Sequence, residues 1–198
     1  NFIMSKLEAN QVDPSTGTTL TLGTSGDTIA IPSGVTLANS GTATGFPDNT
    51  PAFYAYKDSN TTISDATYTT AVCNVENLDT NNGYDTSTGK YTIPTAGKYY
   101  VSSTLFGKAD GNGRANRLVG RIVRERSGVS DLYIGYGDID YRDNPGRAAA
   151  LNMTTCHEFN VGDIIYPDLY VDVTTGTPSI IGTTGYYYTS FGAYKIIT

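Results

Sequence analysis

The chain has 198 residues, a formal net charge of −6 and a pI near 4.6, which is room for one ordinary domain plus a small appendage and too acidic for the positive face that a nucleic-acid partner demands. Hydrophobic residues make up 38%, with 16 Tyr and 6 Phe among them, so the core must rest on rings that bury a large body beneath a polar tip. Thr, Gly, Tyr, Asn and Asp abound where helix formers are scarce, which predicts an all-β protein; no apolar run approaches the ~20 residues of a membrane span and no signal-peptide pattern occurs.

The first element is residues 1–47, almost pure Thr, Ser and Gly with paired apolar residues: Leu20 and Leu22, Ile29 and Ile31, Val35 and Leu37. Each pair is one strand-length alternation, set off from the next by an SG or PSG turn. So short a segment cannot close a core alone, but three copies wound about one axis would cover the pairs mutually. The in-phase spacing favours such a β-rich shaft over a flexible Ser/Thr/Gly linker. The run SKLEANQVDPSTGTTLTLGTSGDTIAIPSGVTL resembles the attachment and shaft regions of fibre-like virion proteins of marine tailed bacteriophages. That resemblance implies a protein assembled in the host cytoplasm and carried on the particle surface, joined to other virion proteins through this segment. Met4 resembles an initiator, which would make Asn1, Phe2 and Ile3 an upstream extension, an expression remnant or a start-site difference.

Residues 48–198 read as the second unit. PAFYAY, TTAVCNV, KYTI, GKYYVSSTLF, NRLVGRIVRE, DLYIGYGDI, RAAALNMTTCHEF, DIIYPDLYVDV and YYYTSFGAYKII are strand candidates linked by Gly-, Asn- or Asp-bearing turns, the pattern of a sandwich or barrel. Cys73 and Cys156 each fall in a strand-like stretch and read as buried small hydrophobes, with one disulfide left open because sequence cannot place their Cα atoms. Asp79, Asn81 and Gly83 imitate the first half of a calcium loop, but the twelfth position is Lys90 rather than a bidentate glutamate. Turn chemistry between two strands accounts for the letters better, so neither metal nor cofactor is expected. In RIVRER the alternation predicts a strand with one charged face. GKADGNGRANR lacks the Lys-Ser/Thr of a phosphate loop and reads as a hairpin tip.

Several of these elements resemble the complement component 1q and tumour necrosis factor-like superfamily. Ala52-Phe53-Tyr54-Ala55-Tyr56 resembles its opening strand. Asp79, Tyr84, Tyr91, Gly97 and Tyr99 stand at the spacings of its aromatic signature, and DTSTGKY from Asp85 resembles the turn before its central strand. FNVGDII from Phe159 and SFGAYKI from Ser190 resemble its last two strands. Cys73 and Tyr91 replace Phe, and Val101 and Ser103 replace later aromatics. The resemblance spans residues 51–198 and implies a jelly-roll β-sandwich of about ten antiparallel strands, assembled as a homotrimer. No Gly-X-Y repeat, hence no collagen stalk, is present. In GKYYVSSTLF, Tyr99, Val101, Ser103 and Leu105 share one face and Tyr100, Ser102, Thr104 and Phe106 the other, and a strand with aromatics on both faces wants two covers. Phe53, Tyr99, Val101, Tyr187 and Phe191 are assigned to core or trimer packing, and Tyr186-Tyr187-Tyr188 to the trimer contact.

Catalytic constellations are thin. His157 is the single histidine, no Gly-x-Ser-x-Gly elbow occurs, and Asp138 and Asp140, two apart on one strand face, read as solvated loop carboxylates rather than a glycosidase pair. Surface recognition remains. SDLYIGYGDIDYRDNPGR gathers Tyr133, Tyr136, Asp138, Asp140, Tyr141 and Arg142 near turns, and flat rings beside carboxylates and an arginine suit sugar faces and hydroxyls. The expectation is a non-enzymatic virion fibre or spike whose trimeric head binds a host surface receptor, glycan or protein. A capsid or tail decoration that stabilises the particle is the alternative.

Overall fold

The computed structural model describes residues 12–41 and 49–196, and the chain divides into two units, Asn1–Phe46 and Pro47–Thr198. The attachment residues before Val12, with Met4, and the junction at residue 47 lie outside the described residues.

Among the described residues of the first unit the turns form and no strand does. Asp27 N donates to Thr24 O at 3.0 Å and Val35 N to Pro32 O at 3.2 Å, with Gly26 and Gly34 at φ +97° and +83°, the left-handed region that glycine enters freely. Between those turns no strand pairs with another, and Leu22, Ile29, Val35 and Leu37 stand 62%, 62%, 59% and 66% exposed. The expected β-shaft is therefore not a structure of one chain: two-residue apolar pairs offer a single copy no ladder to join.

The second unit is all β. It contains β1 (Ala52–Tyr56), β2 (Thr61–Thr62), β3 (Thr69–Thr70), β4 (Val75–Asp79), β5 (Tyr84–Asp85), β6 (Lys90–Thr92), β7 (Gly97–Ala109), β8 (Arg114–Arg126), β9 (Val129–Asp140), β10 (Ala148–Phe159), β11 (Ile164–Thr175), β12 (Pro178–Ile180) and β13 (Ser190–Lys195). Two antiparallel sheets form a jelly-roll sandwich. In the seven-stranded sheet β7 pairs with β10 on one flank and with β12 and β13 on the other, and β13 leads on to β1 and β4; the six-stranded sheet runs β5-β6-β11-β8-β9 with β3 beside β11. Because Ala52 faces Tyr194 while Tyr56 faces Ser190, and β7 runs from Gly97 opposite Phe159 to Ala109 opposite Pro178, the sandwich has two poles. Pro51, Lys195 and Phe159 mark one; the β7–β8 and β9–β10 loops mark the other.

The spaced aromatics turn out to be one cluster. Phe53 stacks on Tyr91 at 4.1 Å and on Tyr84 at 5.0 Å and meets Phe191 edge-on at 5.0 Å, while Tyr99 meets Phe159 at 5.7 Å. Phe53, Tyr99, Val101 and Phe191 are all buried in this core. Polar tips find partners at the margin: Tyr84 donates to Cys73 O at 2.9 Å and Tyr99 to Thr95 O at 2.7 Å, though the Tyr91 hydroxyl has none. The ring of Tyr91 lies so close to Gly83 that a Cβ there would sit 2.7 Å from it.

Three expectations are corrected. TTAVCNV is mostly loop, since only Thr69–Thr70 and Val75 join strands, and Cys73 is buried between them. Cys156 lies exposed on β10 rather than buried, and both thiols are free. RIVRER has charges on both faces: Arg121 and Glu125 point outward, whereas Arg124 is 6% exposed with Nε and Nη1 unpartnered, and Arg126 grips the buried Asp163. Tyr186, Tyr187 and Tyr188, assigned to the trimer contact, precede β13 and are 66%, 49% and 43% exposed in the single chain, where the chain rides over the outer face of the sheet before entering it.

Candidate functional site

Side chains directly opposite one another in a ladder share a face, so the registers of β9, β8 and β11 assemble an outer surface row by row. Tyr133, Val123 and Tyr166 form one row; Tyr136, Arg121 and Asp168 the next; Asp138, Val119 and Tyr170 the third; Asp140, Arg117 and Asp172 the fourth. Val119 and Val123 are each 1% exposed, the apolar floor of an otherwise aromatic and charged surface.

Arg121 is its centre. The guanidinium carbon lies 3.3 Å from the ring centroid of Tyr68 and 4.2 Å from that of Tyr133, while Nε donates to Asp168 Oδ1 at 2.9 Å and Nη2 to Oδ2. Burial pushes the Asp168 carboxyl up, against the pull of the Arg121 fork, and the same fork raises Arg121. With five donors on a cation that stays protonated at any ordinary pH, the pair is an ionised one. Around it, Arg117 forks onto Asp138 at 3.0 and 2.6 Å, the Tyr136 hydroxyl donates to Asp138 Oδ2 at 3.2 Å, and Lys90 pairs with Glu125 at 2.7 Å beneath the Tyr166 ring.

Of the sequence-derived candidates, Tyr133, Tyr136 and Asp138 share this surface, with Tyr133 and Tyr136 55% and 58% exposed. Asp138 and Asp140 belong to strand β9 rather than to a loop, and neither is a free carboxylate. Hydrogen bonds from Arg117 hold Asp138 below the usual range, and those from Arg142 hold Asp140 far below it. Asp140 and Arg142 close on each other at the strand end, and Tyr141 turns away to lay its ring on Gly146, where a Cβ would meet it at 2.8 Å. Sequence reasoning missed Tyr68, Arg117, Arg121 and Asp168. Arg117 and Arg121 were discoverable as the outward alternation of β8; Asp168, directly after Pro167, carried no such signal.

The outer face of the other sheet is different in kind. Cys156, Tyr100 and Tyr194 align across β10, β7 and β13, and Thr154, Ser102, Gly192 and Tyr54 form the next row. Tyr100 meets Tyr194 at 5.3 Å, Tyr56 meets Tyr187 at 4.5 Å, Phe106 meets Tyr188 at 5.3 Å and Tyr186 meets Tyr188 at 5.7 Å. A stripe of rings thus lies on the surface without a cover, the kind of patch that marks an interaction.

His157, on the inward side of β10, packs edge-on against Phe159 at 4.8 Å, and burial lowers its pKa, with Arg124 and Arg126 adding to the effect. Asp79 spends its carboxylate on the backbone, accepting from Asn81 N at 3.1 Å and Tyr84 N at 2.7 Å, an Asx turn rather than a calcium loop. Among the described residues no three His, Cys, Asp or Glu gather as metal ligands.

No family model matches this chain, and no curated protein matches it in sequence. A solved structure does match in shape: the globular domain of zebrafish complement 1qA protein superimposes with a TM-score of 0.51 at 13% identity, covering 74% of this chain and 98% of that one. The head has the complement 1q globular fold. At that identity the likeness fixes the course of the strands in the complement 1q-like head and leaves its surface chemistry to be argued from its own residues.

Proposed function

We propose that the protein is a non-enzymatic virion fibre or spike of a tailed bacteriophage, a homotrimer whose complement 1q-like head attaches to a glycan on the host surface. The observation that carries attachment is the pair of exposed rings, Tyr133 and Tyr136, held on three packed strands by the Arg121–Asp168 and Arg117–Asp138 forks. Rigid rings that lose little entropy on binding, flanked by fixed hydrogen-bonding groups, suit the apolar face and the hydroxyls of a sugar. Asp138 and Asp140 are both committed to arginines, which argues for holding a ligand rather than for acid–base work on it.

Trimerisation is supported by the aromatic stripe of Tyr54, Tyr56, Tyr100, Phe106, Tyr187, Tyr188 and Tyr194 on the opposite sheet, which a neighbouring subunit would cover. Three chains would also supply the ladders that Leu20 to Leu37 lack in one. The phage assignment rests on the likeness of the Ser/Thr/Gly-rich segment to fibre attachment regions. Native mass of the full chain and of a chain starting at Pro51 tests assembly: two trimers support the reading, and a stable monomer of the shorter chain overturns head-driven assembly. Saturable adsorption to host cells, competed by surface polysaccharide and weakened by Tyr136→Ala, supports attachment. No adsorption where virions adsorb would leave a particle-stabilising decoration instead.

A further inference from the structure

Most arginines of the head answer a carboxylate. Arg117 holds Asp138, Arg121 holds Asp168, Arg126 holds Asp163 and Arg142 holds Asp140. Arg114 and Arg147 are exceptions among the described residues: each is exposed, and the bond each makes is to a backbone carbonyl. They are also neighbours. Both line a cleft of about 350 Å³, together with Asn112, Gly113 and Gly146, between the β7–β8 and β9–β10 loops.

The cleft is built rather than incidental. Arg114 Nη1 donates to Pro145 O at 3.2 Å and Arg147 Nη2 to Gly111 O at 2.8 Å, so each guanidinium reaches across to the other loop and is tied there. The backbone is tied as well: Ala109 N donates to Arg147 O at 2.9 Å and Ala115 N to Gly146 O at 2.8 Å. Gly113 is buried where a Cβ would strike Asp110 O and Thr175 O at 2.7 Å, and Gly146 is closed from behind by the Tyr141 ring. Each guanidinium carries five N–H donors, of which one is spent on a loop carbonyl, leaving two planar forks in one cleft in the geometry that suits a planar or tetrahedral oxoanion.

We infer that this cleft binds the anionic group, a uronate carboxylate or a sulfate ester, of an acidic polysaccharide. Its place in the fold supports an extended polymer: the cleft lies at the pole away from Pro51, is open to solvent, and presents a glycine floor that a sugar ring can approach closely. The net charge of −6 disfavours a polyanion on the surface at large, which favours the cleft where two guanidiniums stand together; the nearby Asp110, which feels the Arg147 charge, is itself paired with Lys108. That the carrier is a host polysaccharide rests on the attachment reading; the preference for an oxoanion stands on the arginines alone.

The test uses the full chain against polygalacturonate, dextran sulfate and neutral dextran in affinity electrophoresis at low ionic strength, with inorganic sulfate as competitor. The expected result is retention by one or both polyanions and none by neutral dextran. Arg114→Gln and Arg147→Gln should each weaken retention by about tenfold or more, the ordinary cost of losing a charge-assisted contact. Lys98→Gln, which removes an exposed cation at the opposite pole, should leave it unchanged. Equal loss in Lys98→Gln, or no loss in the Arg114 and Arg147 variants, overturns the site. Retention of neither polymer would overturn the polysaccharide, and retention that inorganic sulfate fails to compete would overturn the oxoanion site. If the full chain adsorbs to host cells yet no polyanion is retained, this inference fails while attachment stands; retention without adsorption has the opposite meaning.

Discussion

Removing the carboxylate of Asp168 leaves the Arg121 guanidinium without its counter-charge in a place where water barely reaches. The side chains are 13% and 7% exposed, and stranding one member of a buried pair costs about 3–5 kcal/mol. The rings of Tyr68 and Tyr133, stacked on the guanidinium, return some of this at about 0.5–1 kcal/mol each, so Asp168→Ala is expected near 3 kcal/mol, the lower end of that range. For a domain of roughly 150 residues each kcal/mol lowers Tm by about 2–4 °C, which places the melting shift at about 6–12 °C. Calorimetry or urea unfolding at one fixed protein concentration measures it, since self-association of the kind proposed would make apparent stability depend on concentration. Arg121→Met with Asp168→Leu removes both charges and should return to within about 1 kcal/mol of the parent. The exposed pair supplies the control: Arg142 and Asp140 are 66% and 42% exposed, and Asp140→Ala should leave Tm nearly unchanged. Equal small losses at Asp168 and Asp140 would refute the placement of Arg121 as a buried keystone of the tyrosine surface.

Three other outcomes are expected. Burial pushes the Cys73 thiol up to about 12, while Cys156 is exposed on the aromatic sheet face, so alkylation at pH 8 should label neither thiol in a trimer, one after dissociation and two after unfolding; rapid labelling of Cys156 in the trimer would contradict coverage of that face. His157 and Asp163 both have lowered pKa values, so each stabilises the fold above its unfolded pKa and loses that contribution as pH falls through the folded one. Stability should therefore decline in two stages, below about pH 6.5 and below about pH 3.8, with His157→Gln abolishing the first and Asp163→Asn diminishing the second, to which Asp138 and Asp140 also contribute. Arg124→Met, which replaces two unpartnered buried donors by an apolar chain, should stabilise the head by about 1–3 kcal/mol in denaturant titration; a loss of stability would mean that those donors have a partner in the assembled protein.

The long strands were legible because period-2 patterning is a local signal. Tyr99, Val101, Ser103 and Leu105 sit inward on β7 as their alternation required, and β8 to β11 overlap the segments that the same rule picked out. Short elements escaped it: Pro178–Ile180 becomes a strand because β7 offers it a ladder, and Thr61–Thr62 and Tyr84–Asp85 because the likewise short β12 and β6 lie alongside. The exposed rings Tyr133 and Tyr136 were legible from composition near turns. Their setting was not, because Arg121 and Asp168 are 47 residues apart and neither position announces a partner that only the sheet brings alongside. Asp138 illustrates the same limit, a surface carboxylate by sequence and a neutralised one by its register with β8.

The polarity of the sandwich also governs how it carries tension. Strands β7, β8, β10 and β11 run from pole to pole, so a pull on the loops around Arg114 and Arg147 is transmitted along their length toward the end where the chain enters at Pro51. There the load passes through β1, which is bonded to β13 on one side and to β4 on the other, with Lys195 N clamped to Pro51 O at 3.0 Å. Drawing β1 out along its axis must shear both ladders at once instead of peeling one pair at a time. A load along this axis therefore meets two ladders in shear, a mechanical consequence of strand order alone.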